Sequence, residues 1–127
     1  MDVKLQTISN LFEGHEIRSI WMPELEDYQF SVVDVISALT DANIPRNYWS
    51  DLKRKLIQEG SELHERIVQL KLKSLKDGKK YLTDTLDTEG IFRLIESIPS
   101  PKVEVFCIKW HNYYLQNNYM IWLIIGG

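Results

Sequence analysis

Cys107 is the only cysteine in the chain, so no intrachain disulfide is possible and the fold must rest on its core. A lone thiol fits a reducing, cytoplasmic setting. Long apolar runs are missing too. The longest, residues 120–125, is far short of the roughly 20 residues a membrane helix needs. Residues 1–10 hold no apolar core behind basic residues, so no secretory signal is read. The six glycines are spread out and form no phosphate-cradling loop. The three histidines, His15, His64 and His111, fall in no metal-ligand spacing: His15-Glu16 and His64-Glu65 both lack the second histidine. Cys107 lies on a predicted buried helical face and carries no nucleophile signature. Asp84 and Asp87 read as turn and cap residues. No catalytic residue, metal or cofactor is therefore expected, and the chain is read as a non-enzyme.

What is present is a polarised charge distribution. Residues 46–80 hold ten Lys/Arg against five Asp/Glu, a local +5, while the remainder holds five against thirteen, −8, and together these give the formal −3. Such polarisation suits a molecule with one face toward a polyanion. At 127 residues, with 44% hydrophobic and 26% charged residues, the chain is expected to be a single domain over 1–127 with one real core. No linker, repeat or low-complexity tract interrupts it.

The hydrophobic patterning predicts α+β architecture, with two β-hairpins forming a small, mainly antiparallel sheet and about four helices. Residues 11–21 read as a hairpin turning at Glu13-Gly14. An acidic loop, Glu24, Glu26 and Asp27, leads to a short strand at 29–32. A helix over 32–40 follows, with Ser31 and Asp34 as a capping-box-like start and Val32, Val35, Ile36 and Leu39 on its inner face. Pro45 opens a second helix that Gly60 stops. Its inner stripe is Tyr48 or Trp49, Leu52 and Leu56. Residues 68–72 alternate, with Val68, Leu70 and Leu72 one way and Gln69, Lys71 and Lys73 the other, as in a half-buried strand with a cationic face. Asp77-Gly78 turns the chain into a return strand over 79–83, and Leu75 suggests a bulge. A helix capped by Asp87 or Thr88 turns Ile91, Leu94, Ile95 and Ile98 inward, with Gly90 as its weak point. Ser100-Pro101 begins a fourth helix with Val103, Phe106, Cys107 and Trp110 buried.

Two basic elements are candidates for function. Lys71, Lys73, Lys76, Lys79 and Lys80 surround the second turn, and such a ribbon can track a phosphate row. Lysines also protect edge strands from aggregation, so both readings stand on sequence alone. The second element is the helix bearing Arg46, Tyr48, Lys53, Arg54 and Lys55, where basic residues beside aromatics suit phosphates and bases. Trp49 reads as a core anchor, and the basic triplet Lys53-Arg54-Lys55 reads equally well as a face that merely meets water. Arg54 has the planar fork that suits guanine.

The ordered segments resemble the BRO-type N-terminal domain of prophage antirepressors and baculovirus repeated-ORF proteins. Phe12 with Ile17-Arg18-Ser19-Ile20-Trp21 resembles its opening hairpin. Phe30-Ser31-Val32-Val33-Asp34-Val35 is similar to its aromatic and Asp-Val helix start. Tyr48-Trp49-Ser50-Asp51-Leu52-Lys53, with Leu56 and Glu59-Gly60, is similar to the tyrosine-tryptophan helix. Leu70-Lys71-Leu72, Asp77-Gly78-Lys79 and Thr83-Asp84 resemble the central hairpin. Residues 91–97 and Ile98-Pro99-Ser100-Pro101-Lys102 resemble the following helix and proline break, and Phe106 and Trp110 close the match. The likeness spans residues 10–110, and the ordered set carries it. It implies a non-catalytic DNA-binding or transcription-regulating role in a mobile-element setting.

The partner implied is DNA, in duplex form. The second reading is a protein-interaction module that binds a repressor, with the acidic residues docking a basic partner. Family members usually continue into a second region, whereas residues 111–127 carry no formal charge. Three readings of that tail stand: a truncated or frameshifted remnant, a strand that makes a homodimer, or a strand added to the sheet.

Overall fold

The structure, a computed structural model, describes residues 15–74, 76–99 and 102. In chain order its elements are β1 (Ser19–Met22), β2 (Asp27–Ser31), α1 (Val32–Leu39), α2 (Pro45–Gln58), a 3₁₀ turn (Leu63–Arg66), β3 (Val68–Lys73), β4 (Lys80–Leu86) and α3 (Thr88–Glu96). All strand pairs are antiparallel, in the order β1-β2-β4-β3. The α+β class is as expected, with three helices among the described residues. The expected fourth helix and the Leu75 bulge lie outside the described residues.

The first described hairpin is formed by β1 and β2. The turn predicted at Gly14 lies outside the described residues, and Ser19–Met22 pairs forward with Asp27–Ser31, in the register Ser19↔Phe30 to Met22↔Asp27. The acidic segment 23–26 is therefore a β-turn region, closed by Leu25 N–H to the Met22 carbonyl and Glu26 N–H to that of Pro23. The left-handed residue there is Glu26, at φ 49°, where glycine would be the usual signal.

The helices follow their periodicity. Ser31 caps α1, its hydroxyl accepting from Asp34 N–H, and Val32, Val35, Ile36 and Leu39 are fully buried. The reciprocal half of a capping box is absent. Ser31 N–H bonds the Arg18 carbonyl, and the Asp34 carboxylate binds Arg18 instead. Pro45 opens α2, which buries Trp49 and Leu56 while Tyr48 and Leu52 pack at the core's margin. Gly60, at φ +80°, ends the helix region. Asp87 caps α3 by accepting from Gly90 N–H, and Ile91, Leu94, Ile95 and Ile98 are buried. Gly90 is no weak point. A Cβ there would meet Asp87 Oδ1 and Leu86 Cβ at 3.0 Å, a tighter fit than side chains ordinarily have, so the start of the helix lies close against the end of β4.

One core joins these elements: Phe30 and Leu86 from the sheet, the α1 and α3 stripes, and Trp49, Leu56 and Leu63. β2 and β4 pair only at Phe30↔Leu86 and Ser31↔Thr85. The ribbon made by β3 and the first part of β4 thus projects beyond the sheet. α2 packs chiefly on α1. A gap is left between α2 and the ribbon.

Candidate nucleic-acid interface

The gap is a cleft of about 790 Å³. α2 supplies Arg46, Trp49, Ser50 and Lys53 to one wall; the ribbon supplies Lys76, Tyr81, Leu82 and Asp84 to the other. Both basic elements expected from sequence therefore border one concavity, though with few of their charges. Among the ten candidate residues only Arg46, Lys53 and Lys76 line it.

Two struts hold the cleft's floor. In the first, Asp84 accepts from Trp49 Nε1 at 2.8 Å, Lys53 Nζ at 2.8 Å and Gln69 Nε2 at 3.0 Å. Burial pushes the Asp84 carboxyl up, but the hydrogen bonds from Lys53, Trp49 and Gln69, with the Lys53 charge, outweigh it and hold the group below the usual carboxylate range. Lys53 also lies 5.6 Å from the centroid of the Trp49 ring. In the second strut the Arg18 guanidinium grips Asp34 with Nε at 2.8 Å and a terminal nitrogen at 3.1 Å, and donates to the Lys73 carbonyl at 3.1 Å. Arg18 thereby ties the base of α1 to the ribbon.

These contacts revise the candidate set. Lys53 is an internal ion-pair partner of Asp84 and is not free for a phosphate. Arg54 pairs with Asp51 at 2.9 Å on the exposed side of α2, away from the cleft. Lys55 is exposed and likewise outside it. Tyr48 is half-buried against the core and lines a separate groove with Leu39 and Pro99, so it packs and does not reach the cleft. Asp84 is a mid-strand acceptor of three hydrogen bonds and not a turn residue, whereas Asp87 is a cap as read.

The ribbon retains its cationic character. Its register sets Lys73 directly across from Lys80 and Lys71 across from Leu82, so these four share a face. Lys76 and Lys79 sit at the turn, where Gly78 adopts φ +75°. All five lysines are exposed, and among the described residues none has a carboxylate partner. The Tyr81 hydroxyl donates to Asp77 at 2.5 Å, which with the Lys79 N–H holds the Asp77 carboxyl low and raises the Tyr81 phenol.

The acidic turn lies elsewhere. It joins β1 to β2, across the sheet from β3, and the registers put it at the end of β4 opposite the lysine turn. Glu24 and Glu26 are exposed. Asp27 is structural: its carboxylate accepts from Thr88 N–H and hydroxyl at 3.1 and 2.9 Å.

Sequence reasoning missed Arg18, Asp84 and Tyr81. For Asp84 a faint signal existed, since Lys80, Leu82 and Asp84 alternate onto one face beside a Trp49/Lys53 pair spaced i, i+4. Among the described residues no group of His, Cys, Asp and Glu is placed to hold a metal, and no helix is long and apolar enough to cross a membrane. No family model, curated protein or solved structure matches the chain.

Proposed function

We propose that the chain is a DNA-binding regulatory domain of antirepressor type that grips duplex phosphates with its lysine ribbon and performs no catalysis. The observation that carries this is the cross-strand pair Lys73↔Lys80, flanked by Lys71 and by Lys76 and Lys79 at the turn. Like charges directly opposite destabilise a ribbon. Edge protection needs charges along a strand, and a like-charged pair across it goes beyond that need. A row of phosphates offsets the repulsion and supplies a reason for the arrangement. The acidic turn at the far corner supports the same reading, because it keeps negative charge away from the bound polyanion. The ordered likeness to BRO-type domains supplies the regulatory, antirepressor part.

A salt series of gel-shift binding to duplex DNA tests it. Five lysines neutralising about five phosphates give a slope of log K against log salt of roughly −4 to −5. Affinity independent of salt, or absence of duplex binding at low salt, overturns the proposal. Recovery of a repressor-like protein from nuclease-treated lysate, without duplex binding, replaces it with the protein-interaction reading.

A further inference from the structure

The duplex reading uses the ribbon lysines and, of the residues that line the cleft, takes only Lys76. About 790 Å³ is in the range of pockets that enclose a small ligand, typically ~300–1,000 Å³. Four cations line it, Arg18, Arg46, Lys53 and Lys76, against three carboxylates, Asp34, Asp77 and Asp84, a net +1. The pairs Arg18–Asp34 and Lys53–Asp84 are internal. Arg46 on one wall and Lys76 on the other remain, and among the described residues neither has a carboxylate partner. Tyr81, half-exposed, also lines the cleft, with its hydroxyl tethered to Asp77 and its ring orientation thereby restricted. A tethered exposed aromatic beside cations is the equipment of a site that stacks a base and holds its phosphate.

We propose that this cleft receives an unpaired nucleotide, with Tyr81 stacking on the base and Arg46 and Lys76 holding the phosphate. The inference deepens the DNA-binding proposal and rests on it for the choice of nucleic acid. An unpaired base suits the site, because entering the cleft then requires no paired base to be pulled from the stack.

Fluorescence anisotropy provides the test, with a labelled duplex, the same duplex carrying one bulged nucleotide, and a labelled single strand. Wild type is expected to bind the bulged duplex roughly tenfold tighter than the intact one, the effect of one stacked base. Tyr81→Val should abolish that preference and leave intact-duplex affinity unchanged. Tyr81→Phe should keep most of it, and circular dichroism checks that both variants fold. Equal affinity of wild type for bulged and intact duplex, or a preference that survives Tyr81→Val, overturns the cleft site while leaving the lysine ribbon's duplex binding in place. Binding of the single strand but of neither duplex supports the cleft and overturns the duplex reading. Binding of none of the three overturns both.

Discussion

Arg18 and Asp34, sixteen residues apart, form a side-on pair in which two guanidinium nitrogens meet two carboxylate oxygens at 2.8 and 3.1 Å. The Arg18 N–H adds a third bond to the same carboxylate at 2.9 Å. Both side chains are largely buried, with 19% and 13% exposure. Because Arg18 also donates to the Lys73 carbonyl, the pair fixes the ribbon's base against α1. Removing one partner leaves a desolvated charge. Asp34→Ala is therefore expected to destabilise the domain by about 3 kcal/mol in urea denaturation. Arg18→Lys should recover little, since an ammonium cannot span both oxygens and the Lys73 carbonyl.

Asp84 predicts a pH dependence. Its folded-state carboxyl lies below the ordinary range, so its stabilising contribution is complete above the unfolded value of about 3.9 and is lost as pH falls through the lower folded value. Denaturation measured from neutral pH down to below that range should show wild type losing stability in the acid limb. Asp84→Asn should be less stable at neutral pH, since Lys53 loses its counter-charge, and its stability should fall less steeply in that limb.

Lys80 separates stability from binding. Replacing it by threonine removes the like charge across from Lys73. Lys80→Thr should raise ribbon stability by a few tenths of a kcal/mol. It should also weaken duplex binding at low salt and flatten the slope of log K against log salt by about 1. Opposite signs in thermal melting and gel shift would mark the lysine pair as a functional arrangement. A change in melting alone would mark it as an incidental surface.

How much of this was legible in sequence follows from the range of each interaction. The α1 and α3 stripes and the turn at Gly78 are local, and residues three, four or seven apart announce them. The lysine face of β3 is local as well, a simple alternation. The ten candidate cations could not be sorted that way. Lys53 looks as free as Lys55 until Asp84, 31 residues away, closes on it. The forward pairing of β1 was hidden for a related reason: its turn contains no glycine, and Glu26 takes the left-handed conformation unannounced. Local pattern fixes elements, while long-range pairing decides which charges are spent inside.

Gly90 gives a final test, because two principles oppose each other there. Replacing a helical glycine by alanine ordinarily gains up to ~1 kcal/mol from backbone entropy. At Gly90 the new Cβ would stand 3.0 Å from Leu86 Cβ and Cδ2 and from Asp87 Oδ1. Leu86 is fully buried in the core, and Asp87 is held by the α3 cap and by Arg66 at 2.8 Å. Neither can yield without loosening the cap or the β4 packing, and overpacking of this kind costs ~1–3 kcal/mol. The steric term therefore outweighs the propensity gain, and Gly90→Ala should lower stability by about 1 kcal/mol in urea denaturation. Glu26→Gly, where a left-handed φ of 49° is relieved in an exposed turn, should raise it by a similar amount in the same measurement. A stabilising Gly90→Ala would mean that α3 can move off β4 freely, and that the close approach is not a fixed part of the core.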